Sequence, residues 1–387
     1  VRIREVPFYR LRLNQSEINR VVKTLRSGWL TTGKTAHEFE QEFADYVGAK
    51  QALAVNSCTA ALHLSLLASG IGSAHEVITT PYTFVATTET IIQTGAKVVF
   101  VDTERDSLNI DLNQIPAAIT ERTRAIVPVH IAGLPIDLRK IESLRRKHKL
   151  TVIHDAAHAL GAIHQGKPVG STADFSCFSF YATKNLTTGE GGMVVTNSRR
   201  HYDNLRMLSL HGMSRDAWKR YSGGGSWKYQ ILQLGYKYNL SDINAAIGLM
   251  QLRRFEQIQK QRRRLAEMYH HYLADIDELL LPTEPEGTTH AWHLYIVKLR
   301  NGGERRNEVI DKLQSLGVGT SVHFIPLYLQ PYYKKHYHYT RHDLPNSYAH
   351  YKSVITLPFY VDLQEDDIKY VAECFKRLFA SKSRIVR

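Results

Sequence analysis

Short runs of apolar and β-branched residues alternate with helix-length amphipathic segments through the first two-thirds of this 387-residue chain. Seven runs have the length of strands: Ala52–Val55, Glu76–Thr79, Lys97–Val101, Ala125–His130, Thr151–Asp155, Phe175–Phe180 and Gly192–Thr196. Between several of them, Ala60–Ser69, Phe84–Thr94 and Leu138–His148 place apolar residues at helical spacing. The alternation predicts an α/β fold with a largely parallel sheet and helices on both faces. Ligands of such sheets sit at the carboxyl ends of the strands, so the turns that follow the runs are where chemistry is expected.

After Leu252 the pattern changes. A polar, arginine-rich helical stretch runs from Arg253 to about Asp275 and is followed by the loop LPTEPEGTTH. His293–Leu299 then reads as a strand, Arg305–Leu316 as a helix and Thr320–Phe324 as another strand. The expected organisation is a large α/β unit over 1–252 and a smaller α+β unit over 253–387, joined by a long helix. No internal repeat is visible, although Tyr328–His342 is dense in tyrosine and histidine.

Composition narrows the class. With 43% hydrophobic residues, 22% charged residues and 12 prolines, the chain is neither disordered nor collagen-like. Its net charge of +13 raises nucleic acid, an anionic membrane surface or a phosphorylated substrate as partners. The excess is spread along the chain, and clusters such as Arg145–Lys149 and Arg262–Arg264 read as solvated helix faces. No basic helix with interleaved aromatics is present, which argues against a nucleic-acid partner. Cys58, Cys177 and Cys374 lie far apart without metal-ligand spacing, so neither zinc nor a disulfide framework is expected. The stretch VRIREVPFYRLRLNQ is charged where a signal peptide needs an apolar core, and no run of about 18 apolar residues occurs. A cytoplasmic protein without a membrane partner is the expectation.

Five segments carry candidate chemistry. Asn56-Ser57-Cys58-Thr59 follows a strand and opens a helix, where free amides and hydroxyls cradle a phosphate or simply cap the helix. Val152–His158 is an apolar strand ending in Asp155, a carboxylate suited either to capping the next turn or to pairing with a cationic ring. The pyridine nitrogen of pyridoxal phosphate needs such a partner. In Asp174–Gly192, Lys184 stands in a small polar loop between two apolar strands; its amine can form a Schiff base and move a proton, or it is a surface lysine. Phe84, in Pro81–Ala86, is a core aromatic or a ring-stacking one. Gly235–Asp242 precedes a helix, with Ser241 or Asp242 as its cap.

In this order and at these separations, the segments resemble the DegT/DnrJ/StrS family of pyridoxal-phosphate-dependent sugar aminotransferases. The resemblance spans essentially the whole chain, from Ser27-Gly28-Trp29-Leu30-Thr31-Thr32-Gly33 through Val127–His130 and Asp155–His158 to the smaller unit. Within the family, His290–Leu294 and Gly235–Asn244 look most similar to the branch that makes UDP-4-amino-4-deoxy-L-arabinose. The family implies fold type I, the aspartate aminotransferase-like fold. Carried over by position, Lys184 matches the lysine that holds the cofactor, Asp155 the carboxylate at the pyridine nitrogen, and Phe84 the aromatic on the ring face. His158 matches a group near the ring or its 3-hydroxyl. Ser179, Thr59 and the Cys58 amide match the phosphate site, completed from a neighbouring subunit by Asn239 or Lys237. Many relatives have asparagine where Lys237 stands, and histidine where Tyr181 stands.

Trp29, Thr31, Tyr181 and His323 lie in segments that line the sugar pocket in the family, and the basic loop Arg215–Arg220 is a candidate for a nucleotide diphosphate. The resemblance therefore implies a homodimer that transfers an amino group from glutamate to a nucleotide-diphosphate keto-sugar, leaving 2-oxoglutarate. A sugar 3-dehydrating branch replaces the lysine with histidine, so Lys184 argues against it. A regulatory or nucleic-acid-binding protein on the same fold and a 3-keto-sugar aminotransferase are the alternatives.

Overall fold

The structure, a computed structural model, describes residues 4–214, 229–300, 302–303 and 305–380. The basic loop Arg215–Arg220 lies outside these described residues. In chain order the strands are β1 (Gln51–Val55), β2 (Glu76–Thr79), β3 (Lys97–Phe100), β4 (Thr123–Val127) and β5 (Thr151–Asp155). A small hairpin, β6 (Ile163–His164) and β7 (Lys167–Pro168), precedes β8 (Phe175–Ser179) and β9 (Gly192–Thr196). Among the described residues, the large sheet has the order β1-β9-β8-β5-β4-β2-β3. Strands β8, β5, β4, β2 and β3 are parallel to their neighbours, and β9 runs antiparallel between β8 and β1. The α/β expectation holds, with a single reversed strand where the chain turns back through the lysine loop.

Strand alternation splits the side chains between two cores. Leu53 and Val55 face one cluster with Val77, Ile153 and the Cys58–Ala68 helix, whereas Ala52 and Ala54 face a second with Phe39, Phe43 and Phe178. Helix caps fix the entries to these layers. Ser57 accepts from the Ala60 amide at 3.1 Å, and Ser241 accepts from that of Asn244 at 3.3 Å. Asp242 instead serves another helix: its carboxylate accepts from the amides of Gly33, Thr35 and Ala36, at the start of Lys34–Val47.

The second sheet has β10 (Leu279–Leu280), β12 (Tyr295–Leu299) and β13 (Val354–Leu357) in antiparallel order, while β11 (Thr288–Thr289) joins the hairpin β6-β7. It packs with the Phe255–Leu273 and Glu365–Ala380 helices around Leu265, Tyr269, Val297, Ile355 and Phe375. Val6 joins this core and bridges Val318. The expected strand Thr320–Phe324 is not one: of it, Ser321 alone makes a bridge, to Thr356, and the strand beside β12 is β13. The arginine-rich helix covers Phe255–Leu273, separated from Asp242–Leu252 by a break at Arg253–Arg254.

The tyrosine-rich stretch seals the exposed edge of the large sheet. Strand β3 ends the sheet, and the Tyr339 hydroxyl accepts from its Phe100 amide at 3.2 Å. Tyr333, Tyr337 and Tyr339 surround the Phe100 ring. Covering an edge in this way blocks further strand addition.

Candidate active site

The turns after β1, β2, β5 and β8 open at one end of the sheet onto a cavity of about 520 Å³. Cys58, Thr59, Phe84, Asp155, His158, Ser179, Tyr181, Lys184 and His323 all line it. Nine of the sequence-selected residues are thus brought to one place. Lys184 sits in the turn between β8 and β9, its amide bonded to the Tyr181 carbonyl at 2.9 Å. Burial draws its amine down to about 8, against the raising effect of Cys58 and Asp155. An amine so lowered becomes a free-base nucleophile from about pH 8, well below an ordinary lysine, and is a competent proton carrier.

Asp155 is the last residue of β5 and is buried. Its carboxylate accepts from Thr87 Oγ1 at 2.7 Å and from the Ala157 amide at 3.1 Å, and no described cation pairs with it. Burial raises its pKa; the Thr87 and Ala157 hydrogen bonds and the Lys184 charge oppose that shift. A buried carboxylate held by neutral donors is suited to a cationic ring nitrogen above it.

At the mouth of the Cys58–Ala68 helix, Ser57 takes the capping role, and the amides of Cys58 and Thr59 occupy first-turn positions that have no helical acceptor. With the Thr59 and Ser179 hydroxyls they form a set of donors for a dianion. Gly192 permits this closeness in an unexpected way. A Cβ there would lie 2.5 Å from the Ser57 carbonyl carbon and 2.6 Å from the Cys58 nitrogen, so the glycine admits the cradle's own backbone rather than a ligand. Phe84 lines the same cavity and is 61% exposed, which fits a ring-stacking face and not a core position.

His158 accepts from the Ala132 amide at Nδ1 (3.3 Å), which leaves its proton on Nε2. Burial, with the Lys184 and His323 charges adding to it, keeps this imidazole neutral well below its ordinary range. Its ring faces that of His293 at 4.3 Å. Sequence reasoning assigned no role to His293 or Thr87, nor to Asn185, which bonds His293 Nδ1 at 3.1 Å and the Ala291 carbonyl at 2.7 Å. His293 stands in the quoted HAWHL segment, but only the folded chain shows it facing the site. Tyr9, whose hydroxyl donates to the Ala182 carbonyl, reaches the cavity from the N-terminal segment and left no signal in the sequence.

Four selected residues lie elsewhere. Trp29 is 42% exposed with Nε1 donating to the Thr32 carbonyl at 3.2 Å, and Thr31 is on the surface beside it. Asn239 donates to Thr32 Oγ1 at 2.7 Å and accepts from the Lys237 amine. All four belong to one patch around the Gly235–Asp242 segment, outside this chain's own cavity.

The residues present fit pyridoxal phosphate: a lysine amine, a buried carboxylate without a described cation, free helix amides and an exposed aromatic converge on one cavity. Fold and site together are those of a fold type I, pyridoxal-phosphate-dependent aminotransferase. Residues 12–376 match the DegT/DnrJ/EryC1/StrS aminotransferase family, and the chain belongs to it as a sugar aminotransferase with pyridoxal phosphate as cofactor.

Among its relatives, Bacillus subtilis spore coat polysaccharide biosynthesis protein SpsC is 46% identical, with 94% of each chain covered. A candidate sugar aminotransferase from Streptococcus pneumoniae, Spr1654 in its PMP form, superposes with a TM-score of 0.92 at 33% identity, covering 97% of this chain and 100% of that one. Helicobacter pylori PseC, an aminotransferase involved in the biosynthesis of pseudoaminic acid, gives 0.90 at 29% identity, covering 98% and 100%. No described helix is long and apolar enough to cross a membrane.

Proposed function

We propose that this enzyme transfers the amino group of glutamate to a nucleotide-linked keto-sugar, a UDP- or dTDP-4-keto-sugar, for surface polysaccharide. The observation that carries this reading is the opening of Lys184, Asp155 and the Cys58–Thr59 cradle onto one cavity. Pyridoxal phosphate, when bound, supplies an aldehyde and an electron-withdrawing ring. Lys184 would hold that aldehyde and, as a base, would take the proton from the amino-acid α-carbon; glutamate as donor would give 2-oxoglutarate. Asp155 keeps the ring nitrogen protonated, fixed by Thr87. Cys58, Thr59 and Ser179 would anchor the phosphate, Phe84 would stack on the ring, and His158, with its proton on Nε2, would be the donor for the ring oxygen. Tyr181 and His323 border the space left for the sugar.

The same reading makes the enzyme a homodimer whose sites are completed across the interface by Asn239, with Lys237 beside it. Trp29 and Thr31 then meet the sugar of the neighbouring site. Support comes from the position of these residues outside their own cavity and from the apolar side chains exposed around them, including Ile18, Val22, Leu25, Ile231, Leu232 and Leu234. Polysaccharide biosynthesis is the role printed for SpsC and is carried here as part of the proposal. A panel of UDP- and dTDP-4-keto-sugars with glutamate tests it: formation of 2-oxoglutarate with at least one is expected. Turnover of 3-keto-sugars alone would move the reaction to another carbon.

A further inference from the structure

A second cavity, of about 740 Å³, lies between the second sheet, the Pro345–Ser353 helix and the loops that follow β3 and β4, on the Ile131–Leu134 turn. Its charge is one-sided. Arg105, Lys298, Arg300 and Lys352 line it, Asp106 is the only acid among its lining residues, and none of the four cations takes part in a described ion pair. Lys298 reaches only the Asp106 carbonyl, at 3.3 Å, and Arg300 the Asp277 carbonyl, at 2.8 Å. Burial lowers the pKa of the Lys298 amine, and the charge of Asp106, which acts in the other direction, does not offset it.

Leucine and proline side chains, Leu108, Leu134, Leu280 and Pro282 among them, form the apolar part of the lining. His290 adds a neutral polar group. Its Nδ1 accepts from the Trp292 amide at 2.8 Å, so the proton is on Nε2, and the residue lines the cavity. Four cations against one acid call for at least two negative charges. An apolar floor in a space far larger than an inorganic ion calls for an organic body.

One wall is shared with the active site. Leu294 lines both cavities. The Ala132 carbonyl accepts from the amides of His293 and Leu294 at 2.9 and 3.2 Å, while its own amide holds His158. A ligand pressing on Ala132 or Leu294 therefore bears on both histidines of the active cavity.

We propose that this second cleft is an effector site for a nucleoside diphosphate, distinct from the cavity that contains Lys184. UDP is the probe, added to the cofactor-loaded enzyme. Amide exchange across 346–353, a segment that lines only the cleft, is expected to slow in the wild type. In a Lys298→Glu, Arg300→Glu double variant the UDP concentration needed for this protection rises about tenfold or more, while the cofactor absorption band stays unchanged. An Arg105→Glu, Lys352→Glu pair, on other elements, gives the same result if the first pair does not fold.

No protection at saturating UDP, or undiminished protection in both variants, overturns the site. Equal protection by inorganic pyrophosphate overturns the nucleoside class. UDP is also expected to change the rate of the glutamate half-reaction in the wild type and to do so less in the variants; binding without that change overturns the effector role. This last readout rests on the function proposed above and the exchange readout does not, so the two failures are distinguishable.

Discussion

In the proposed mechanism Lys184 and Asp155 divide the chemistry, and one physical effect acts on them with opposite sign. Burial disfavours charge on both, lowering the lysine to about 8 and raising the aspartate. Below about pH 8 the amine of cofactor-free protein is protonated and cannot attack an aldehyde. Capture of pyridoxal phosphate should therefore quicken about tenfold per pH unit up to about 8 and then level off, as stopped-flow absorbance would show. Lys184→Ala is expected to lose the bound-cofactor band and about 10³-fold or more of activity. The Asp155→Asn variant should fold and bind cofactor, with turnover reduced about 100-fold through loss of the ring-nitrogen partner. Wild-type turnover in either variant would contradict these assignments.

His154, beside Asp155, has the opposite character: both ring nitrogens are buried without partners, and burial lowers its pKa to about 4. The unfolded chain takes up this proton near pH 6.5 and the folded one near 4. Stability should fall across that window by about 1.4 kcal/mol per pH unit for this group as the solution is acidified. Replacing His154 by leucine is expected to shift stability at pH 7 by no more than about 1 kcal/mol and to flatten the acid slope by one proton. Denaturant melts at pH 4.5 and 7 measure both. An unchanged slope would show that His154 is solvated.

At the scale of elements, the strands of the large sheet were readable because buried parallel strands are continuous apolar runs, and six of the seven ran close to their expected bounds. The fourth lies at Thr123–Val127, not Ala125–His130, because Pro128 ends the regular ladder. The small sheet was read less well: Thr320–Phe324 (TSVHF) is polar at three of five positions and makes only one bridge, whereas the strand beside β12 is the fully buried Val354–Leu357. The lysine loop was legible from residue types alone, but the reason for Gly192 was not. Gly192→Ala should push β9 away from Ser57 and Cys58, costing about 1–3 kcal/mol in thermal or chemical melts. Cofactor affinity should drop in the same variant, through the phosphate cradle.

For the whole molecule, the net charge of +13 first suggests a nucleic acid or a membrane surface. The fold instead gathers part of it around two cavities: Lys184 in one and four cations in the second cleft. Five motifs, each weak alone, together pointed to one cofactor site, and the sheet brings four of them to one cavity, with Gly235–Asp242 outside it. His293 and Tyr9 were invisible because their partners are far away in sequence. The apolar patch around Trp29 and Leu234 belongs to this scale too. If the proposed dimer forms through this patch, Leu232→Asp with Leu234→Asp should give monomers by light scattering and abolish turnover, whereas a fully active monomer would refute site sharing.

The central claim is that one lysine-bound cofactor shuttles an amino group from glutamate to a nucleotide-linked 4-keto-sugar. Absorbance of the purified, cofactor-loaded enzyme tests it in a single cuvette. Glutamate alone is expected to convert the yellow aldehyde band stoichiometrically to the pyridoxamine phosphate band, and a UDP- or dTDP-4-keto-sugar is then expected to restore it. A band that glutamate leaves untouched, or that no keto-sugar restores, would contradict the account.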